Sequence, residues 1–324
     1  LIVGEHLAIL AVAIVVDAIA DDPAWLWRRI PHPVQLLRSL LKALDRALNR
    51  PRWPAPRLRI VGGVAITLLV LVSAVIGWLL EWIFRQHPAG SVGTVAFAAI
   101  MLAGRSLHDH VRAVATALDV GGVEAGRETV ARIVGRDPGN LDRHRICRAA
   151  IESAASHFSD GLVAPALWFA LLGLPGLFAY KAINTGDLVI GDLSLRHRDF
   201  GWFAVRLNAV VNLPASRVSG ALIALAAPLV RGSIGRAFRA MRRDAPRHRS
   251  LNAGWPEAAM ASALGVSLGG PRRYGGILVD DVYLNESGRR DATSDDIRRA
   301  LRVYRGAWSL VLVLVLLLAV PFFV

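Results

Sequence analysis

Ile60–Leu80 reads IVGGVAITLLVLVSAVIGWLL, twenty-one residues without a charge. At about 1.5 Å of rise per residue, such a helix is roughly 30 Å long, the thickness of a bilayer's hydrocarbon core. Glu81, Arg85 and Pro88 end the run, so a span over residues 60–84 is expected. Ala307–Val324, AWSLVLVLVLLLAVPFFV, has the same character and predicts a span over residues 307–324. Arg298, Arg299, Arg302 and Arg305 precede it, and basic flanks of this kind hold a helix end in the cytoplasm.

Weaker runs lie around these two. Residues 1–20 are apolar but carry Glu5 and Asp17, and they lack the basic start and small-residue site of a cleaved signal peptide. Residues 162–180 contain Pro165, Gly173, Pro175 and Gly176. Residues 203–230 form a span only if Arg206 and Asn208 are admitted, and Ser91–Gly104 is short enough merely to dip into the bilayer. The fold class predicted is all-α: a multi-pass integral membrane protein of four to five spans, built as a single membrane-embedded domain over residues 1–324. Its polar loops cover residues 21–59, 105–160 and 231–305. Within the second, Val111, Val114, Ala115 and Leu118 recur at helical spacing.

Composition agrees. Of 324 residues, 54% are hydrophobic, too many for an ordinary soluble enzyme. The net charge of +13 is almost wholly arginine, since Lys42 and Lys181 are the only lysines. These arginines flank apolar runs, which fits membrane topology better than nucleic-acid binding. A lone cysteine, Cys147, excludes an internal disulfide and a cysteine metal cluster, and reads as a small buried hydrophobe. No GxxxxGK[ST], GxSxG or HExxH occurs. His108-Asp109-His110 resembles a metal motif, but positions i and i+2 point to different faces of a helix.

Ionisable groups at membrane depth cost at least about 2.5 kcal/mol each, so they face a partner or a cavity. Asp17, Asp160, Asp187 and Arg206 are such groups. In Phe158–Trp168, FSDGLVAPALW, either Ser159 or Asp160 can cap the following helix, or Asp160 lines a cavity where Gly161 and Pro165 break that helix. Asn184-Thr185-Gly186-Asp187 reads as a turn able to hold a cation or phosphate. A straight helix would set Asp160 and Asp187 about 40 Å apart, so only a break at the prolines would let them share a site. Pro256 of Asn252-Ala253-Gly254-Trp255-Pro256-Glu257 suits a first helical position, where free N–H groups take anions. Arg272 and Arg273, in a glycine-rich turn, offer guanidinium forks for phosphate or a solvated surface. His32, between Pro31 and Pro33, sits in a rigid turn before a helix over Gln35–Leu48.

The ordered motifs go further. Pro31-His32-Pro33-Val34, Arg105-Ser106-Leu107, Ile133-Val134-Gly135-Arg136-Asp137, Ser159–Pro165, Lys181-Ala182-Ile183-Asn184-Thr185, Phe200-Gly201-Trp202, Asn252–Met260 and Leu268-Gly269-Gly270-Pro271 run in order along nearly the whole chain. Together they resemble the CobD/CbiB family, the adenosylcobinamide-phosphate synthases of cobalamin biosynthesis. The resemblance implies a multi-pass enzyme of the cell inner membrane. Its reaction is an ATP-dependent amide ligation of aminopropanol phosphate, or threonine phosphate, to adenosylcobyric acid. It implies ATP as a substrate, Mg²⁺, a corrinoid substrate, the lipid bilayer and other membrane enzymes of late cobalamin assembly as partners, and no nucleic acid.

Carried onto this chain, the resemblance makes Asp160, Asp187 and Glu257 catalytic, with Asp160 and Asp187 as metal ligands. Substrate would be bound by His32, Arg105, Ser159, Asn184, Thr185, Asn252, Trp255, Arg272 and Arg273. The chain departs from the family pattern at Ser156-His157, Leu188-Val189 and Asn208-Ala209, where Glu-Asn, Ser-Met and Asp-Asp are customary. Lost carboxylates weaken Mg²⁺ binding. The same sequence therefore also fits a weakened or silent membrane paralogue, an AmpE-like sensor or assembly partner. A transporter fits less well, since no internal repeat is present.

Overall fold

A computed structural model of the chain describes residues 2–20, 27, 29, 31–134, 139, 141–192, 194–274, 277–279 and 281–323. In chain order its helices are α1 (Ile2–Ile19), α2 (Pro33–Leu48), α3 (Ala55–Arg85), α4 (Gly90–Met101), α5 (Gly104–Val120), α6 (Gly122–Val130) and α7 (Arg143–His157). A π-helical turn, Phe158–Val163, leads to α8 (Ala164–Ile190), α9 (Trp202–Val211), α10 (Leu213–Ala226), α11 (Ile234–Asp244) and α12 (Gly254–Leu264). Four short strands follow, β1 (Leu268–Gly269), β2 (Arg272–Tyr274), β3 (Ile277–Val279) and β4 (Tyr283–Leu284), and then α13 (Ser294–Ala319). β1 pairs with β4 and β2 with β3, both antiparallel. The protein is all-α apart from this small ladder.

Among the described residues, five helical segments are long and apolar enough to cross a membrane: Ala55–Arg85, Gly90–Val120, Arg143–Ile190, Leu213–Val230 and Ser294–Phe322. Between Ile60 and Trp82 the outward face of α3 is apolar apart from Thr67, with Ile60, Val64, Leu68, Leu71, Val75, Trp78 and Trp82 all exposed. Water would not tolerate such a stripe and lipid requires it, because every backbone group of the helix is already bonded internally.

The contacts divide the chain into two compact units. The first comprises Leu1–Leu102, Ala164–Asn212 and Val315–Val324. Its axis is the packing of α3 on α8 around Leu41, Leu58, Ile66, Leu69, Ala182, Ile190, Phe200 and Ala204. The run at 162–180 is broken rather than straight: Gly173 has φ 66° and ψ −151°, a conformation open essentially only to glycine, and Pro175 follows. Leu174 N–H, freed by the break, donates to Glu81 Oε2 at 2.8 Å. Glu81 is held in turn by His6 Nε2 at 3.1 Å and Arg85 Nη2 at 2.9 Å. Gly77 permits the crossing, since a Cβ there would lie 2.6 Å from Leu174 O.

Residues 203–230 divide at Asn212 into α9 and the segment Leu213–Val230. The buried Asn212 amide donates to Asn208 O at 3.0 Å, and Pro214 has no N–H to carry the ladder onward.

The second unit comprises Ala103–Val163 and Leu213–Leu314. Here α10 packs on α12 and on the π-helical turn, α11 and α7 pack on α12, and α5 lies against α6 and α7. Gly220 of α10 admits the backbone of α12, for a Cβ would meet Trp255 O at 3.0 Å. Tyr304 of α13 is buried, donates to Gly104 O at 2.9 Å and meets the Phe158 ring edge-on. At the start of α13, Asp296 accepts from Arg289, Arg299 and the Thr293 N–H, the capping a buried carboxylate needs.

Candidate functional site

The predicted polar residues divide between the two units. His32, Asn184, Thr185 and Asp187 belong to the first unit, and Arg105, Ser159, Asp160, Asn252, Trp255 and Glu257 to the second. The side chains of Arg272 and Arg273, and residues 135–138, lie outside the described residues.

In the first unit, Asn184–Asp187 is not the turn expected but the penultimate part of α8. Helix is possible there because Gly186 packs against the Ile66 side chain, where a Cβ would lie 2.9 Å from Cδ1. Asp187 Oδ2 accepts the Asn208 amide at 2.7 Å. The Asn208 carbonyl accepts from Asn212 at 2.7 Å, and Asn212 accepts from Tyr180 OH at 3.1 Å. A relay of three neutral side chains thus satisfies one carboxylate between two helices. Thr185 is buried beside it. His32 caps α2, its Nδ1 accepting Val34 N–H at 3.2 Å, and its ring lies 4.6 Å from that of Trp27.

In the second unit, Ser159 and Asp160 do not cap a helix. The backbone stays helical from α7 through the π-helical turn into Ala164, so neither residue stands before a first turn. The turn is widened instead, a geometry recurrent at functional positions. Gly161 O accepts Ala103 N–H at 3.0 Å, which sets Arg105 beside the turn. Arg105 also reaches Asp109, Nε to Oδ2 at 3.6 Å. Ser159 is buried, and its hydroxyl has no hydrogen-bond partner among the described residues.

Pro256 is the third residue of α12, not the first, because the helix opens at Gly254. Ala253 N–H already donates to Ser250 Oγ at 3.1 Å, Trp255 N–H to Asn252 O at 3.2 Å and Glu257 N–H to Ala253 O at 3.1 Å. Phosphate capture by free amides at this helix start is therefore not what the fold offers. The positive charge comes from elsewhere. Arg217 of α10 donates to Asn252 Oδ1 at 3.1 Å, to Ser216 Oγ at 3.0 Å and to Leu213 O at 3.0 Å, with its guanidinium 4.7 Å from the centre of the Trp255 ring. Among the described residues Arg217 has no carboxylate partner. A half-buried guanidinium held over an indole by neutral acceptors is poised for a phosphate or carboxylate.

Glu257 is buried near His248 and Asp281, with Nε2 of the histidine 3.6 Å from Glu257 Oε2 and 3.9 Å from Asp281 Oδ2. The glycine-rich strand is tied down by Glu152, whose carboxylate accepts Gly269 N–H at 2.7 Å. Asp244, at the end of α11, accepts from Asn285 N–H and from both arms of Arg243. Burial pushes its carboxyl up, but the Arg243 fork and the Asn285 N–H outweigh this and hold it below the ordinary range.

Sequence reading missed Arg217, His248 and Asp281. Arg217 carried the same signal as Arg206, an ionisable group inside an apolar run, whereas Arg206 merely stacks on Trp202 at 5.4 Å. His248 and Asp281 meet only through the turn of the strands, and no spacing announces that. Among the described residues, no three His, Cys, Asp or Glu side chains are gathered for a metal ion.

Residues 10–304 match the family described as CobD/Cbib protein. The chain is 47% identical over 316 residues to the Cobalamin biosynthesis protein CobD of Sinorhizobium sp, covering 97% of this chain and 98% of that protein. It is 46% identical to the protein of the same description from Rhizobium meliloti (strain 1021), with 94% of each covered. The similarly described protein of Rhodobacter capsulatus is 41% identical, over 93% of this chain and 94% of its own length. No solved structure matches.

Proposed function

The chain belongs to the CobD/CbiB protein family, and from that premise we propose that it makes the amide joining aminopropanol phosphate, or threonine phosphate, to adenosylcobyric acid, with ATP as the energy source. Its place is a membrane step of cobalamin biosynthesis, proposed to lie in the cell inner membrane beside other late enzymes of the pathway. The observation that carries this reading is Arg217, a guanidinium without a carboxylate partner among the described residues, fixed on Trp255 and Asn252 of the NAGWPEAAM stretch. A substrate ending in phosphate suits that group.

A carboxylate resists attack by an amine until its oxygen is made a leaving group. In the proposed sequence the corrinoid carboxylate oxygen bonds to the γ-phosphorus of ATP as the bond to the β–γ bridging oxygen breaks, releasing ADP. The amine nitrogen then bonds to the acyl carbon, inorganic phosphate leaves, and the ammonium proton passes to a protein base. Asp160 and Glu257 are proposed for that proton, Glu257 with His248 Nε2 3.6 Å from its Oε2. Arg217, Arg105, Arg272 and Arg273 are proposed to hold phosphate oxygens, and Asn252 and Trp255 to orient Arg217. Ser159 offers a buried hydroxyl to the same substrate. In the first unit, His32, Asn184 and Thr185 remain proposed substrate contacts.

The residues fit Mg²⁺ only as an ion arriving on nucleotide phosphates, which needs one or two carboxylates rather than a protein cage. Asp160 and Asp187, each in its own unit, are proposed for that task. Bound there, the ion would neutralise phosphate charge. One observation favours a second reading, the weakened paralogue: the Asn208 amide already satisfies Asp187 Oδ2.

Complementation of a cobinamide-requiring strain lacking its synthase tests both, using the wild-type chain, Ser156→Glu and Asp160→Asn. Growth with wild type and none with Asp160→Asn supports the ligase, provided membrane fractions hold equal amounts of both. Growth only with Ser156→Glu supports the paralogue. Growth with Asp160→Asn removes that residue from the mechanism.

A further inference from the structure

Helix α2 is the starting point. It lies before the first long apolar segment and carries a strongly two-sided sequence, with Leu41 and Asp45 buried against the first unit. Yet Leu36 and Leu40 are 53% and 47% exposed. A short helix that shows leucines outward beside Arg38, Lys42 and Arg46 has the form of one lying in a membrane interface.

Between α2 and α3 runs an apolar groove of about 440 Å³, walled by Leu40, Leu44 and Leu48 on one side and Ile60, Val64 and Val72 on the other. From Ile60 to Val72 it extends about 18 Å by helical rise. One leaflet of the hydrocarbon core is about 15 Å deep, so the groove has the length of an acyl chain. At its head, one residue beyond Leu48, opens a second cavity of about 560 Å³ lined by Arg46, Asn49, Arg50, Pro51, Arg52 and Arg196.

The carboxylate nearest this pocket is spent. Asp45 binds Arg196 at 2.6 Å and the Asn49 amide at 2.8 Å. Arg46, Arg50, Arg52 and Arg57 have no carboxylate partner among the described residues. Arg50 and Arg57 flank Trp53, 5.3 Å and 4.0 Å from its ring centre, the arrangement of a tryptophan at headgroup level with cations around it. Three guanidinium groups without a carboxylate partner among the described residues, Arg46, Arg50 and Arg52, at the mouth of a chain-length apolar groove match one ligand in both parts: phosphate above, hydrocarbon below.

We propose that the α2–α3 groove and its arginine pocket bind one anionic phospholipid, with an acyl chain along Leu40, Leu44 and Val64 and the phosphate at Arg50 and Arg52. This site is independent of the amide chemistry. Its test is native mass spectrometry of the full chain in detergent, titrated with phosphatidylglycerol, with phosphatidylcholine of the same chains, and with glycerol phosphate. Phosphatidylglycerol should be retained, phosphatidylcholine at least tenfold more weakly, and glycerol phosphate not at all at equal concentration. At roughly fivefold per cation near an anionic headgroup, Arg50→Gln with Arg52→Gln should weaken phosphatidylglycerol about thirtyfold. Leu40→Ser with Leu44→Ser should weaken both lipids. Arg50→Lys with Arg52→Lys should keep most of the affinity, and Arg242→Gln on α11 all of it. Equal retention of the two lipids, glycerol phosphate binding as tightly as lipid, or an unchanged glutamine variant would each overturn the proposal.

Discussion

Replacing Glu81 with alanine removes one carboxylate that serves three donors, the His6 ring at 3.1 Å, Arg85 at 2.9 Å and the Leu174 N–H at 2.8 Å. The last is the decisive one. Gly173 turns the backbone out of the helix, Pro175 supplies no N–H, and the second half of α8 therefore begins on a buried amide that only Glu81 answers. The bonds to His6 and Leu174 cross between helices and contribute about 0.6–1.7 kcal/mol each, and the exposed pair with Arg85 one turn along the same helix adds about 0.3–0.5 kcal/mol, so the three come to roughly 1.5–4 kcal/mol. At roughly 2–4 °C per kcal/mol, the melting temperature should fall by about 3–16 °C. Glutamine at the same position keeps an acceptor for Leu174 N–H and should recover about half of the loss. The assay is tryptophan-fluorescence melting of the purified chain in one detergent. Because α8 beyond the break carries Asn184, Thr185 and Asp187, loss of complementation at 37 °C with recovery at about 25 °C should accompany the lower melting point. An alanine variant melting within about 1 °C of wild type would refute the argument, for the broken helix would then not depend on Glu81.

Gly173→Ala should be worse than either Glu81 variant, since its φ is unfavourable for alanine and its Cβ would strike the Glu81 carboxylate; little folded protein should elute from size exclusion. Arg217→Gln should raise KM for the phosphorylated amine roughly tenfold to a hundredfold, with less effect on kcat, in a membrane ligation assay. Melting across acid pH reports Asp45 and Asp244. Burial raises both carboxyls, but hydrogen bonds to Asn49 and Arg196 in one case and to Arg243 and Asn285 in the other hold them below the ordinary value of 3.8. The stability they contribute is whole above that value and is lost as pH falls through the lower folded values, so Asp45→Asn and Asp244→Asn should flatten the melting curve below about pH 4.

The sequence by itself determined the membrane class, because uncharged runs of bilayer length permit no other solvent, and it determined the family, because ordered motifs such as SDGLVAP and NAGWPEAAM survive without any coordinates. It also marked Asp160 and Asp187 as groups needing partners, and Asn252 and Glu257 as candidates for a binding site. Who those partners are was a tertiary matter. Nothing in spacing says that Asn208 answers Asp187, that Arg217 rests on Trp255, or that Glu81 holds Leu174, ninety-three residues away. Local rules misread the caps for the same reason. Ser-Asp-Gly and Asn-Thr-Gly-Asp are turn formers where water competes for their backbones, but packing against α10 and Ile66 keeps both stretches helical. Pattern along the chain records how much burial a segment needs; only the folded chain decides which hydrogen-bonding groups come close enough to satisfy it.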